Sequence, residues 1–337
     1  MFLKRNEQGK KVRLNKTTIL RTRSIRLFLP ERLISKSMSF ICVLILFVFS
    51  STIFAHDTSS NIRHNHDDIR VVMSAAFVSE SGIGIYDEIF KYLAARLNRK
   101  ITFISGFSYS TINQMLDKGM VDVGFICGLP YVLKHDTSHP AVQLIAAPVM
   151  ADAKYDNKPK YFSYLITHKD NKAKKFTDTR GQRFVYNDEI SNSGYNMPRA
   201  YMISLGETKG FFSNVTRSGS HEESIRLVAT KKADVSAVDS LVYDYELKQN
   251  PEYIRNTKII KVLGPAGIPP IVVSTKVSAE VKKEIQEALL NMQNDAVGKL
   301  ILKKALIRRF MAVSDKNYDD IRKMKRAAEN AGYLTIK

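Results

Sequence analysis

The sequence is poor in the features that usually announce chemistry. It has two cysteines, Cys42 and Cys127. Cys42 lies inside an apolar run near the amino terminus. Cys127 stands alone in the rest, so no intrachain disulfide is available there. A lone Cys at the end of an apolar strand reads as a small core residue. No Gly-x-Ser-x-Gly elbow, no metal-binding His pair at helical spacing and no phosphate-cradling Lys loop occurs. Without a nucleophile or a metal set, no catalytic residue, metal or cofactor is expected, and the chain does not read as an enzyme. Acidic residues are also scarce, 33 against 52 Lys and Arg, for a net charge of +19. Eleven of the basic residues fall in positions 1–37, where only Glu7 and Glu31 oppose them. Elsewhere the lysines alternate with acids, and no basic patch is interleaved with aromatics. Nucleic acid is therefore not an expected partner. Long apolar runs are missing as well: Phe40–Phe49 gives ten residues, and a comfortable membrane span needs about 20.

What is present begins with that run. A basic head, the short apolar stretch and Ser50-Ser51-Thr52-Ile53-Phe54-Ala55 have the order of an export signal, with cleavage expected after Ala55. An uncleaved anchor is the alternative. Residues 56–68 are polar and rich in His. His56, Asp57, His64, His66, Asp67 and Asp68 match no closed metal site and read as a linker.

From Ile69 strand-like and helix-like segments alternate. Strands are expected at 69–73, 101–104, 121–126, 143–149, 161–167, 183–186, 211–216, 235–238, 258–263 and 271–274. Helices are expected between them and over 279–292, 296–310 and 318–331. Polar breaks at Asp170–Lys175 and Gly264–Pro270 flank the middle set. The pattern implies two α/β lobes with largely parallel sheets, joined by two chain crossings. The expected boundaries are a head and signal over 1–55, a linker over 56–68 and a first lobe starting over 69–168. A second lobe follows over 169–264, and 265–337 returns to the first lobe and ends in helices.

Three turns lie where a strand runs into a helix: Ser191-Asn192-Ser193-Gly194, Ser218-Gly219-Ser220-His221 and Cys127-Gly128-Leu129-Pro130-Tyr131. Ligands of open α/β sheets bind at such strand ends. Helix N-termini there offer free N–H groups and a positive dipole end, which suit an anion. Ser220 and Glu223 fit a capping box, which leaves His221 unexplained and available to a ligand. Ser191, Asn192 and Ser193 supply more hydroxyl and amide groups than a cap requires. Tyr109 and Tyr131 place phenols at similar turns. Asp239 ends an apolar strand, where it either caps the next helix or meets a cationic or protonated group of the ligand. The set suggests a cleft for a small oxyanion.

At these residues the chain resembles the periplasmic phosphate, phosphite and phosphonate substrate-binding proteins of ABC importers, a branch of the type II periplasmic binding proteins. Four stretches carry the resemblance: Gly119–Phe125 through Tyr131, Asp188–Gly194, Gly219-Ser220-His221 with Ala233–Asp239, and Phe107-Ser108-Tyr109. It covers roughly Ile69 to Met292. The resemblance implies a two-lobed type II fold with two hinge-crossing segments. It also implies an exported, monomeric receptor that closes on a small phosphorus oxyanion and hands it to an ABC permease. It places the oxyanion against Tyr109, Tyr131, Ser191, Asn192, Ser193 and His221, with Asp239 facing any substituent. Asn192 departs from a common Thr. Gly264–Pro270 offers no carboxylate for an aminophosphonate. A sensor or adaptor on the same fold, reporting to a signalling partner, is the rival reading.

Overall fold

The computed structural model describes residues 68–74, 82–249 and 251–337. The basic head, the signal, Cys42 and nearly all of the His-rich linker lie outside these residues. The elements run β1 (Asp68–Met73), α1 (Ile83–Leu97), β2 (Lys100–Ile104), α2 (Tyr109–Asp117), β3 (Val123–Phe125), α3 (Gly128–His135), β4 (Val142–Met150) and β5 (Lys160–His168). Next come β6 (Arg183–Tyr186), α4 (Met197–Ser204), β7 (Asn214–Arg217), α5 (His221–Ala229), β8 (Val235–Asp239), α6 (Ser240–Gln249) and α7 (Pro251–Ile254). The chain closes with β9 (Thr257–Gly267), β10 (Ile271–Ser274), α8 (Ala279–Asn291), α9 (Ala296–Lys304), β11 (Ile307–Met311) and α10 (Asp319–Asn330). Among the described residues no helix is long and apolar enough to cross a membrane.

These strands form two sheets. The first has the order β11-β4-β10-β3-β1-β2 and the second β7-β6-β8-β5-β9. Each has parallel pairs, β1 with β2 and β3, and β6 with β7 and β8. Local chemistry explains the elements. Tyr86, Ile89, Phe90 and Leu93 recur at helical spacing and are the buried stripe of α1. Asn98 ends that helix in the left-handed region at φ 48°, a conformation Asn tolerates. All five residues of β8 are buried, as expected of a strand covered on both faces.

The lobe boundaries differ from the sequence expectation. β5 pairs with β8 and β9 in the second sheet, whereas β4 pairs with β10 and β11 in the first. The first crossing is therefore 151–159, ahead of the expected boundary at 168. The polar stretch Asp170–Lys175 is a surface excursion, with the Lys174 and Lys175 amides both donating to Asp178. Polarity marks a loop but not the sheet its flanking strands join. At the second break, β9 continues through Gly267 opposite Lys160, so the crossing is only Ile268–Pro270. Pro265 is tolerated because β9 is an edge strand. The helix expected over 296–310 stops at Lys304. Leu306 turns the chain at φ 58°, and β11 then pairs with β4.

The C-terminal segment also spans both lobes. Tyr318 donates to the Ile268 carbonyl at 3.1 Å, and the Gly267 amide donates to Asp320 at 3.0 Å. Arg322 pairs with Asp136 and Asp315 at 2.7 Å each. The tail then docks on the second lobe, where the Ile336 amide donates to Tyr195 and Arg199 donates to the Leu334 carbonyl.

Candidate functional site

The segment after β6 builds the centre of the site. Ser191 Oγ accepts the Gly194 amide at 3.0 Å, and Asn192–Asn196 form one π-helical turn before α4. Such turns recur at functional sites. A Cβ on Gly194 would lie 1.8 Å from Asn187 Oδ1. Only glycine lets the turn approach β6 this closely.

Ser193, His221 and Asp239 meet here, all fully buried. Ser193 Oγ donates to Asp239 Oδ2 at 3.1 Å and lies 3.4 Å from His221 Nε2. The Asp239 amide is 3.3 Å from His221 Nδ1. A backbone N–H can only donate, so Nδ1 presents its lone pair and the ring proton sits on Nε2. Burial pushes the imidazole pKa down to about 3. His221 is thus a neutral donor aimed toward the Ser193 hydroxyl. Asp239 Oδ1 accepts the Leu241 amide at 2.8 Å, so it also caps α6. Burial holds its carboxyl well above the usual range.

Asn192 is buried but committed. Its Nδ2 donates to Tyr161 at 2.9 Å, its Oδ1 accepts from Asn196, and its amide reaches Cys127 Sγ at 3.3 Å. It ties the second lobe to the first, and its Nδ2 keeps one further N–H. Cys127 is a buried thiol whose pKa burial pushes up to about 11, in keeping with a small core residue.

Tyr109 opens α2 of the first lobe. It packs with Cys127 against Ile190 of the second, so the lobes meet over the site. Tyr131 sits elsewhere. Its hydroxyl donates to Asp315 at 2.7 Å and its ring lies 4.8 Å from that of Tyr318. It is one turn inside α3, and that geometry aims it at the C-terminal segment. The structure brings Tyr109, Ser191, Ser193, His221 and Asp239 to one place, with Asn192 as their brace.

Two further residues belong to this place. Tyr161 accepts the Asn192 amide and keeps its own proton to donate; burial raises its pKa, with Cys127 and Asp239 nearby. Asn187, at the carboxyl end of β6, is fully buried, and neither atom of its amide has a partner. The Tyr109 hydroxyl has none either. Buried polar groups are normally paired. Among the described residues, half of the eight unpaired buried side-chain atoms belong to Ser74, Tyr109 and Asn187. No sequence motif marks Asn187 or Tyr161; the one available signal was position at a strand end. No group of His, Cys, Asp and Glu able to hold a metal occurs among the described residues.

Two α/β lobes with convergent strand ends, crossings between sheets and a buried polar cluster under their junction define the architecture of a solute-binding protein. Residues 73–318, more than half of the chain, match the family described as the periplasmic substrate-binding protein of the phosphonate ABC transporter, and the chain belongs to that family. It is similar to the probable ABC transporter phosphite binding protein PhnD1 of Prochlorococcus marinus, 26% identical over 43% of this chain, and spans about half the length of that relative. The crystal structure of a binding protein component of an ABC phosphonate transporter from Pseudomonas aeruginosa superposes with a TM-score of 0.71 at 21% identity, covering 80% of this chain and 89% of that one. The Prochlorococcus PhnD1 structure, in complex with methylphosphonate, gives 0.69 at 20% identity over 79% and 99%. At these identities the two structures show the shared fold.

Proposed function

We propose that this chain is the exported receptor of an ABC importer, that it encloses a phosphorus oxyanion between its lobes, and that it presents that ligand to a membrane permease. The observation that carries the reading is the buried cluster of neutral donors under the lobe junction, with unpaired polar groups on both walls. Tyr161 and Tyr109 donate, Ser193 Oγ and His221 Nε2 turn from Asp239 and from each other to the ligand, and Ser191 shapes the turn. Asn187 offers an amide whose cost of burial a ligand would remove. Hydrogen bonds from neutral donors to a charged acceptor contribute about 1.5–3 kcal/mol each, so no Lys or Arg is required. Asp239 would repel a dianion. Its raised pKa favours sharing a proton with a singly protonated oxyanion. Phosphonate, phosphite and phosphate all meet this description.

Full burial of Ser191, Ser193, His221 and Asp239 means a ligand reaches them only when the lobes part. The crossings at 151–159 and 268–270 are the hinge, and the spanning C-terminal segment moves with them. The test is calorimetry of the exported domain with methylphosphonate, phosphite, phosphate and sulfate, paired with solution scattering. One phosphorus oxyanion should bind far more tightly than sulfate and reduce the radius of gyration. Sulfate binding as well as all three would overturn the reading.

A further inference from the structure

We propose that the outer face of α9, on the first lobe, is a docking surface for an anionic phospholipid bilayer. The inference goes beyond the oxyanion reading and does not depend on it.

Helix α9 (Ala296–Lys304) packs on α1 and β11. Its inner stripe is Gly298, Ile301 and Leu302, all buried. A surface helix usually turns a polar face to solvent, and this one does not. Val297 is 58% exposed and Leu300 64%, the most exposed large apolar side chain among the described residues. The two stand three residues apart on one row of the helix, and Lys304 follows four residues on. The row borders a groove of about 570 Å³ between α1 and α9, where Tyr92, Ala95 and Ile301 supply apolar wall.

Charge narrows what covers this row. Lys299 and Lys303 are exposed on the adjoining row, four residues apart and so on one side of the helix. Neither forms an ion pair among the described residues. The neighbouring carboxylates are already taken: Glu88 by Lys304 at 2.8 Å, Asp87 by Lys91 at 2.7 Å, and Asp295 by Arg96. Uncompensated positive charge therefore flanks exposed apolar surface. The cover must be apolar within and anionic at its rim. A second copy of this chain fails that condition, since its own Lys299 and Lys303 would be brought against these. An anionic bilayer meets it. Val297 and Leu300 enter the headgroup–acyl boundary, and the lysines reach the phosphates with their stems along the apolar surface.

The path of the chain agrees. Asp68, where β1 begins, accepts from Lys100 and Thr102. Lys100 lies just past the end of α1, where Arg96 meets Asp295 at the start of α9. The segment from the apolar run Phe40–Phe49 thus enters the lobe at the end that carries α9. Where the export signal stays attached, residues 56–67 span at most about 40 Å, which keeps this end of the lobe at the membrane.

The sequence has no Trp, so a single introduced Trp reports its own surroundings. Leu300→Trp is made in the full chain, with Leu334→Trp as control. Leu334 is 58% exposed on the tail that docks on the second lobe. Each is mixed with vesicles of phosphatidylcholine alone, or of phosphatidylcholine and phosphatidylglycerol in equal parts. With the anionic vesicles the Leu300→Trp emission should shift to the blue and be largely quenched by brominated acyl chains, while Leu334→Trp stays unchanged. Adding Lys299→Gln and Lys303→Gln to Leu300→Trp should weaken the partitioning read by that shift about tenfold, and raised salt should weaken it as well. These positions are exposed, so the core is not at risk, and Val297→Trp should repeat the shift. A chain that floats with anionic vesicles while its Leu300→Trp emission stays that of water is held by its basic head, and overturns the inference. An equal shift at Leu334→Trp, or with phosphatidylcholine alone, overturns it too. A blue shift that needs no vesicles and grows with protein concentration assigns the face to a second copy and overturns the bilayer.

Discussion

The two lobes contribute to the site in different ways. On the second lobe, Ser191, Ser193, His221 and Asp239 are held by hydrogen bonds to one another and to the backbone before any ligand arrives. On the first lobe, Tyr109 brings a phenol with no partner, packed beside the thiol of Cys127. On the proposed function, the second lobe is a preorganised receptor and the first a wall that completes it on closure. Preorganised donors lose little freedom on binding, and a closing wall makes its contacts only in the closed state. The asymmetry predicts that disturbing the second lobe harms both stability and binding, whereas trimming the first harms binding alone.

The largest effect should come from Gly194→Ala. The new methyl would collide with Asn187 Oδ1, and relieving the clash moves the turn that carries Ser193. The expected outcome is a loss of stability of about 1–3 kcal/mol with no measurable oxyanion binding; denaturant melts and calorimetry check it. An unchanged affinity would show that the turn is not the receptor.

His221→Gln comes next, with an expected loss of binding of about 1.5–3 kcal/mol. It also tests the neutral ring. The folded imidazole pKa is lowered to about 3 from an unfolded value near ~6.5. Between those values the unfolded chain binds more protons, so this group's contribution falls as pH drops from about 6.5 toward 3. Asp239 acts in the opposite sense, because its carboxyl pKa is raised. The difference between wild type and His221→Gln isolates the histidine: wild type should lose more stability than the variant from pH 7 to pH 4. Imidazole nitrogen shifts should show one Nε2–H tautomer throughout that range. A titration near pH 6.5 would contradict the assignment.

The smallest effects separate the two tyrosines. Tyr109→Phe removes a buried hydroxyl that has no partner, so the empty protein should be no less stable. Binding should weaken by about 0.5–1.5 kcal/mol. Tyr131→Phe breaks the bond to Asp315 and should cost about 1 kcal/mol of stability without changing affinity. The reverse pattern would return Tyr131 to the site and remove Tyr109 from it.

The local pattern of the chain was largely readable. Apolar residues every three or four positions marked α1. The unbroken apolar β8 ended at an informative Asp239, and Ser220 with Glu223 announced the start of α5. These signals are carried within one turn or one strand, so they survive without tertiary context. The same reasoning extends a helix over 307–310, because a strand of five residues is decided by the partner that accepts its hydrogen bonds, here β4.

The two-lobed α/β plan and the three polar turns at strand ends were written in the chain, because periodicity and helix-capping chemistry are local. Which sheet received β5 was settled by folding, since pairing depends on partners far away in the chain. Folding alone turned Tyr131 toward Asp315, bound Asn192 into the junction and exposed Asn187 as an unpaired amide. Direction, pairing and vacancy are properties of neighbours that the chain brings together only by folding.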